Sequence, residues 1–407
     1  MPRVKESRAC PEGSRVAGRL APVATDAEAR RFRLSATVMI GWMLGALIGL
    51  LQVPGIPHLH FSDLWLLYGG RHLASHAWPY IQAPIEYPVL MGWWMWITAW
   101  APGGLAGFLV ANFVGLGAVA VVTLRLLRRL APRHYHWFAL SPLIALYALA
   151  NWDLLAIVWL VAAWVAFERQ EPGRTGLYLG LGTATKLFPI VALPFMAYTW
   201  WRQGTRRSAV RCISAFGAVW LALNIPFALL NFSNWSLFFR FNAVRPMVAD
   251  LWSTVPFLSH LTVGQVDGFS LVTVLIAALL GLRAVAHGAR TRVVVAAVFG
   301  VFFVVNKVFS PQYMLWMLVS AVVAEWPVWT LGVLTLGGLV DFGATFWSLM
   351  AGRLLASGHV VSARLAESFH PLGIGIRYLS IAVASLGASK MLGEGGTWRE
   401  GMAAPSR

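Results

Sequence analysis

The 407-residue sequence carries little charge: only 12% of its residues are Asp, Glu, Lys or Arg, against about 25% in a soluble globular domain. It contains 16 carboxylates and two cysteines, and so few cysteines exclude a disulfide-stabilised scaffold. Hydrophobic residues make up 58% of the chain, with 21 Trp and 23 Phe. This composition excludes a soluble enzyme and a disordered chain, and it predicts a polytopic membrane protein.

The net charge of +16 comes from 28 Arg and 4 Lys, most of them in short clusters between apolar runs. Basic loops beside membrane helices stay on the cytoplasmic side. We therefore expect the basic clusters to mark the cytoplasmic side of a plasma-membrane protein whose two termini are both cytoplasmic. We expect no nucleic-acid partner. The predicted organisation is a disordered basic tail (1–33), a transmembrane domain (34–391) and a cytoplasmic tail (392–407), with a first outer loop over 54–104.

The apolar runs predict an all-α domain of about 10 to 13 transmembrane or half-length helices, beginning at residue 34 and including runs at 136–150 and 371–391. Residues 88–101 are Trp-rich and short, which indicates an interfacial or re-entrant helix on the outer side. Residues 175–201 have basic residues at both ends and are interrupted by Lys186 and Pro189. We predict that they form a hairpin of two half-length helices whose tip points outward, a geometry that is tolerated only against protein or water.

The sparse carboxylates are informative by elimination, because ionisable groups at membrane depth are candidates for function. Nine fall in predicted cytoplasmic segments, and seven remain at or near the outer face: Asp63, Glu86, Asp153, Asp250, Asp267, Asp341 and Glu367. Asp63 and Glu86 lie in the first outer loop, where Ser62 is predicted to cap a short interfacial helix that starts at Asp63. This loop carries the strongest functional signal in the sequence.

Four motifs in order resemble glycosyltransferase family 87, over residues 35 to 390. In the first, Asp63 is followed by a Tyr five residues on, a Pro-Tyr pair and Tyr87-Pro88. The others are Asn151-Trp152-Asp153, residues 176–189 with Leu193-Pro194 after them, and residues 306–312. The resemblance implies a GT-C membrane fold that transfers a mannosyl or arabinofuranosyl unit from a polyprenyl-phosphate sugar to a hydroxyl of a lipid or polysaccharide acceptor.

In such an enzyme one carboxylate serves as general base for the acceptor hydroxyl. A phosphate leaving group needs no second acid, but it gains from fixed cations as its negative charge builds. GT-C enzymes place the base in the first outer loop, which corresponds here to Asp63. The sequence has no Asp-x-Asp motif and no metal-like clustering of His, so we expect no metal and no other cofactor.

Further candidates for substrate binding are polar or charged residues near the predicted outer face: Arg71, Glu86, Tyr87, Asp153, Lys186, Arg240, Arg245, Lys307 and Gln312. Structural alternatives remain open for several of them. Glu86 also fits an ion pair with Arg71, and Asp153 fits a helix-start cap. The two lysines fit side chains that snorkel to the interface, and Tyr87 fits the aromatic belt.

One segment departs from the family pattern. Many members carry Trp and paired His after the Ser-Pro of the fourth motif, whereas here Gln312 and Tyr313 follow Ser310-Pro311 without a His. If those histidines hold the phosphate or the acceptor in the relatives, other residues must do so here. A transporter or a lipid-linked-sugar flippase is the alternative function, because such proteins also have many spans, broken helices and buried charges.

Overall fold

The computed structural model describes residues 26–52, 62–248 and 250–393, and every regular element in these ranges is a helix. Most of the predicted N-terminal tail, residues 53–61 of the first outer loop and the C-terminal tail from 394 lie outside the described residues. The first nine α-helices are α1 (Asp26–Leu50), α2 (Asp63–Gly70), α3 (Val89–Ala99), α4 (Gly104–Leu130), α5 (His136–Leu140), α6 (Leu143–Tyr147), α7 (Asp153–Glu168), α8 (Pro172–Thr185) and α9 (Leu193–Arg202). The remaining nine are α10 (Arg206–Leu230), α11 (Phe232–Val244), α12 (Leu251–Thr254), α13 (Val263–Ala286), α14 (Thr291–Val305), α15 (Tyr313–Val323), α16 (Val328–Ala356), α17 (Val360–Ala388) and α18 (Lys390–Gly393).

Six helices in the described part of the chain are long and apolar enough to cross a membrane, namely α1, α4, α10, α13, α16 and α17. Three more, α3, α14 and α15, are apolar but shorter. At 1.5 Å per residue the 11 residues of α3 extend only about 16 Å, roughly half the thickness of a bilayer core. The prediction of an all-α polytopic membrane protein is confirmed, and α3 is a short helix as expected for 88–101.

Three boundaries differ from the predicted ones, each for a local reason. Helix α1 begins at Asp26 rather than at 34, because Asp26 and Glu28 in its first turn favour a helix N-terminus, so residues 26–33 are not a disordered tail. Helix α17 begins at Val360 rather than at 371, since Pro371 lies inside the helix and membrane helices tolerate such prolines. The run 136–150 forms two short helices, α5 and α6, which Pro142 separates.

The segment 175–201 folds back on itself. Helix α8 ends at Thr185, Lys186 is extended, and a 3₁₀ turn over Phe188–Ala192 leads into α9. Near the end of α9, the indole Nε1 of Trp200 donates a 2.7 Å hydrogen bond to Gln170, which precedes α8. The predicted hairpin is therefore confirmed, with residues 170 and 200 as its two feet and Lys186 near its tip. That the tip points outward stays a prediction.

Helix α8 runs parallel to α10, and glycines make this close approach possible. A Cβ atom on Gly176 would lie 2.1 Å from the carbonyl oxygen of Cys212, and one on Gly180 would lie 3.0 Å from that of Phe216. Residue numbers rise together along the two helices, so they share a direction and α9 returns antiparallel to both. Small residues at such contacts are typical of membrane helices, because they let backbones approach.

Helices α16 and α17 form a long antiparallel pair, and its contacts also depend on glycine. A Cβ atom on Gly337 would lie 2.1 Å from the Ser380 hydroxyl oxygen. Across this pair the guanidinium of Arg377 donates a 2.9 Å hydrogen bond to Asp341, and both side chains are fully buried. The same guanidinium lies 3.9 Å from the ring centroid of Phe309. The pair is therefore an internal ion pair of the helix bundle rather than a surface contact.

Candidate functional site

The start of α2 is attached to the segment that precedes α7. Ser62 accepts a 3.1 Å hydrogen bond from the amide of Leu64 and donates a 2.6 Å bond to the carbonyl oxygen of Leu149. The amide of Asp63 donates a 2.8 Å bond to the carbonyl oxygen of Ala150. The predicted cap by Ser62 is confirmed, and the backbone of Asp63 is fixed by bonds that leave its carboxylate available.

The carboxylate of Asp63 is held by two other side chains. Asn151 Nδ2 donates to Asp63 Oδ2 at 2.6 Å and to the Tyr87 hydroxyl at 2.9 Å. The Tyr87 hydroxyl donates to the same Oδ2 at 3.4 Å. Oδ1 makes no hydrogen bond to a residue that the structure describes, and the side chain is partly exposed. One oxygen of Asp63 is thus oriented and the other can accept a proton; we call Asp63, Tyr87, Asn151, Asp153 and Lys186 the Asp63 cluster.

A buried ion pair lies beside this carboxylate. Asp153, the first residue of α7, is bonded to the ammonium of Lys186 at the tip of the hairpin. That ammonium lies 5.2 Å from the ring centroid of Tyr313. Burial raises the pKa of Asp63 above its ordinary value, while the hydrogen bond from Asn151 and the charge of Lys186 oppose the rise. A carboxylate with a raised pKa is the stronger base, provided that it stays ionised.

Tyr80 positions the Tyr87 segment. Its hydroxyl donates to the carbonyl oxygens of Tyr87 and Pro88, at 2.9 and 2.8 Å, and its ring is buried. Tyr80 has a φ of 65°, in the left-handed region that non-glycine residues seldom adopt. A Cβ atom on Gly92 would lie 2.1 Å from the Tyr80 hydroxyl oxygen, so glycine is required there.

Several predicted site residues are paired with each other instead of facing an open site. Arg71 and Glu86 form a bidentate ion pair, with Nε–Oε2 and Nη2–Oε1 distances of 2.5 and 2.6 Å. The alternative interpretation of Glu86 is therefore confirmed. Asp153 caps no backbone amide of its own helix, and the Lys186 side chain is only 11% exposed and bonds to Asp153 rather than snorkelling. The charges of Asp153 and Lys186 therefore both act on the neighbouring carboxylate of Asp63.

Two further cations lie elsewhere. Lys307 is buried, and its ammonium donates to Asp267 at 2.7 Å and to the carbonyl oxygen of Ala243 at 3.1 Å. Arg240 is exposed and donates a 2.6 Å bond to the carbonyl oxygen of Ser233. The structure does not bring either side chain to the Asp63 cluster.

Arg245 and Gln312 line a cavity of about 210 Å³ between the end of α6, the segment after α11, the segment before α15, and helices α16 and α17. Its wall also includes Ala150, whose carbonyl oxygen accepts the hydrogen bond from the Asp63 amide. This space, the Arg245 cavity, therefore adjoins the Asp63 cluster through one residue. Its full lining is Tyr147, Ala150, Arg245, Val248, Val308, Phe309, Ser310, Pro311, Gln312, Phe342, Thr345, Phe346, Leu349 and His370.

Sequence reasoning missed the amide of Asn151, which organises the site although it is neutral. Its only sequence signal was its place before Trp152-Asp153 in the second motif. Tyr313, close to Lys186, and His370, in the wall of the cavity, were also not selected. Among the described residues no group of three or more His, Cys, Asp or Glu side chains could hold a metal ion.

The helical architecture, with its apolar spans and a polar cluster at the end of short helices, defines a multi-pass membrane protein with a built polar site. Residues 86–253 match the model of glycosyltransferase family 87, and this match supports membership of the family. The match indicates a glycosyltransferase rather than the transporter that composition left open. The matched segment includes Tyr87, Asn151, Asp153 and Lys186 but begins after Asp63. No curated protein matches the chain.

Proposed function

We propose that this protein transfers a mannosyl or arabinofuranosyl unit from a polyprenyl-phosphate sugar to a hydroxyl of an envelope glycolipid or polysaccharide, at the outer face of the plasma membrane. The observation that carries the proposal is the asymmetric carboxylate of Asp63. Asn151 and Tyr87 hold its Oδ2, and its Oδ1 is unbonded to the described residues. A general base needs this combination of fixed orientation and a free lone pair.

In the proposed step the acceptor oxygen attacks the anomeric carbon of the donor, and its proton moves to Oδ1 of Asp63. The bond between the anomeric carbon and the phosphate oxygen breaks, and polyprenyl phosphate leaves with the electron pair. No proton has to reach this leaving group, because a phosphate is stable as an anion. A single carboxylate therefore suffices on the acceptor side, and positive side chains stabilise the departing phosphate.

The remaining predicted ligands have graded roles in this proposal. Asp153 and Lys186 set the charge beside Asp63, whereas Arg71 and Glu86 brace the loop that carries it. Arg245 and Gln312 face the adjoining cavity. Arg240 and Lys307 are proposed to contact an anionic lipid headgroup. For Lys307 this would require its ion pair with Asp267 to break.

The test uses membranes that contain the full chain, a radiolabelled polyprenyl-phosphate sugar and endogenous acceptors. Asp63→Asn removes the base but keeps the size of the side chain, and we expect a loss of about 100-fold or more in transfer. Glu367→Gln is the matched control, because Glu367 is an exposed carboxylate on α17, and it should transfer at the native rate. Equal turnover by the native protein and Asp63→Asn would end the case for this base.

A further inference from the structure

The Arg245 cavity contains polar side chains that have no hydrogen-bond partner in the described part of the chain. Gln312 is only 8% exposed, yet its amide bonds to no residue that the structure describes. Thr345 Oγ1 and His370 Nε2 are buried and likewise have no partner in the described ranges. For Arg245 the described contact is the ring of Phe241, at 5.6 Å from its centroid. Buried polar groups are almost always hydrogen-bonded, so these groups indicate a ligand with several acceptor oxygens.

The charge of the cavity selects an anion. Arg245 contributes a guanidinium, and His370 can donate from a ring nitrogen. No carboxylate lines the cavity within the described part of the chain. The nearby Arg377 is already paired with Asp341, so it adds little net charge. A phosphate would satisfy the donors of Arg245, Gln312 and His370 through charge-assisted hydrogen bonds.

Helix α16 contributes apolar residues to the cavity lining, and one of them is exposed at the surface of the bundle. Phe342 and Phe346 stack with their ring centroids 5.9 Å apart, and both line the cavity. Leu349 follows them along α16 and is 56% exposed. It lies within the part of α16 that is apolar enough to span the membrane. The cavity thus has a polar end inside the protein and an apolar exit toward lipid.

We propose that the Arg245 cavity binds the polyprenyl carrier of the donor, and this inference rests on the proposed function. Arg245, Gln312 and His370 contact the phosphate, and the first isoprenoid units lie along the apolar wall of α16. The volume of about 210 Å³ is below the range of roughly 300–1,000 Å³ for pockets that enclose a whole small molecule. It suits a headgroup and the start of a tail whose remainder lies in the bilayer beyond Leu349.

The position of the cavity fits a donor phosphate beside the base. Ala150 lines the cavity and also accepts the hydrogen bond from the Asp63 amide. On another wall, Gln312 directly precedes Tyr313, whose ring lies near the Lys186 ammonium. A phosphate in the cavity would therefore lie next to the Asp63 cluster without entering it. The sugar that it carries would have to reach across the Ala150 segment to Asp63.

Binding of the carrier without its sugar tests the inference independently of catalysis. Full-length protein in phosphatidylcholine nanodiscs is titrated with radiolabelled decaprenyl phosphate. We expect Arg245→Gln and His370→Gln each to bind it roughly tenfold more weakly or worse, because each loses a charge-assisted bond. The matched controls are Arg364→Gln and His359→Gln, exposed positions in or just before α17 that do not line the cavity. The controls should bind as the native protein does, and equal affinity in all five proteins would overturn the inference.

A second variant covers the possibility that loss of a charged residue disturbs folding. Leu349→Trp adds volume at the exposed rim and removes no charge, so it should weaken carrier binding while leaving the Tm unchanged. Competition then identifies the ligand class: unlabelled decaprenyl phosphate should displace the label, and phosphatidic acid should displace it only weakly. Equal displacement by phosphatidic acid would mean that the cavity binds anionic lipids in general, and it would overturn the assignment of the cavity to the polyprenyl carrier.

The two proposals fail separately. Asp63→Asn should bind decaprenyl phosphate with native affinity, since Asp63 does not line the cavity. If sugar transfer depends on Asp63 but the cavity variants bind decaprenyl phosphate as the native protein does, only the proposed carrier site is refuted. Binding that depends on the cavity, without any sugar transfer by the native protein, would refute the proposed function alone.

Discussion

Replacing Asn151 by Ala should move the acidic limb of the transfer activity to higher pH. In the proposed mechanism Asp63 acts as a base only when it is ionised, so activity should fall as the pH drops through its pKa. Burial raises that pKa, and the hydrogen bond from Asn151 is the largest effect that opposes the rise. Because this bond is short, at 2.6 Å, its loss should raise the pKa of Asp63 further.

The size of this pKa shift follows from the negative charge of the Asp63 carboxylate, which accepts the hydrogen bond from Asn151. A hydrogen bond to a charged group contributes about 1.5–3 kcal/mol, which corresponds to roughly a tenfold loss or more in the ionised fraction on the acidic limb. Water can replace part of the bond, since Asp63 is partly exposed, so we expect the lower end. Asn151 also accepts a 2.7 Å bond from the amide of Trp152, and the loss of that bond lowers activity equally at every pH.

Initial rates of sugar transfer, measured across the acidic limb and on the high-pH plateau, separate these two losses. Tyr87→Phe is the graded control, because it removes a longer bond to the same Oδ2, at 3.4 Å, and keeps the ring. The acidic limb of the Tyr87→Phe pH profile should move to higher pH as well, but by less than that of Asn151→Ala. A limb that stays in place in Asn151→Ala, or moves to lower pH, would refute the assignment of Asp63 as the ionising base.

Three further predictions concern the hairpin and its neighbours. Lys186→Met leaves Asp153 buried without its cation and should destabilise the protein by about 3–5 kcal/mol; Tm measurements should show partial recovery when Asp153→Leu is added. Gly176→Ala should lower the Tm, because its methyl group would meet the α10 backbone, whereas Gly217→Ala, with open space around it, should leave the Tm unchanged or raise it slightly. Single cysteines at the two feet of the hairpin should react with a membrane-impermeant reagent from the same side of the membrane, and labelling from opposite sides would contradict the fold.

The sequence predicted those features that depend on local pattern. Basic residues at both ends of 175–201, with Lys186 and Pro189 between them, were enough for the hairpin, because a straight span would have placed one cluster on the wrong side. The short helix at Asp63 followed from the Ser62 cap. By contrast, the predicted apolar run began at 371, whereas α17 continues through Pro371, since neighbouring helices can satisfy the backbone groups that a proline frees.

The pairings between distant residues could not be predicted, because they depend on which helix faces meet. Asp341 and Arg377 lie in separate apolar runs, and only the antiparallel contact of α16 and α17 brings them together. Asn151 carries no charge, so elimination among carboxylates could not select it. The Arg245 cavity combines five separate stretches of chain, and only their packing in the fold brings them together.

The distribution of cations around the site has a chemical consequence. Lys186 is held by Asp153, Arg71 by Glu86, and the described contacts leave Arg245 without a carboxylate. A guanidinium paired directly with Asp63 would lower the pKa of that carboxyl and make it a weaker base. In the proposed mechanism, the position of Arg245 across the Ala150 segment avoids this conflict, because Arg245 would stabilise a departing phosphate while Asp63 keeps its raised pKa. The separation of base and cation is thus what a single active site needs if it must both accept a proton and release an anion.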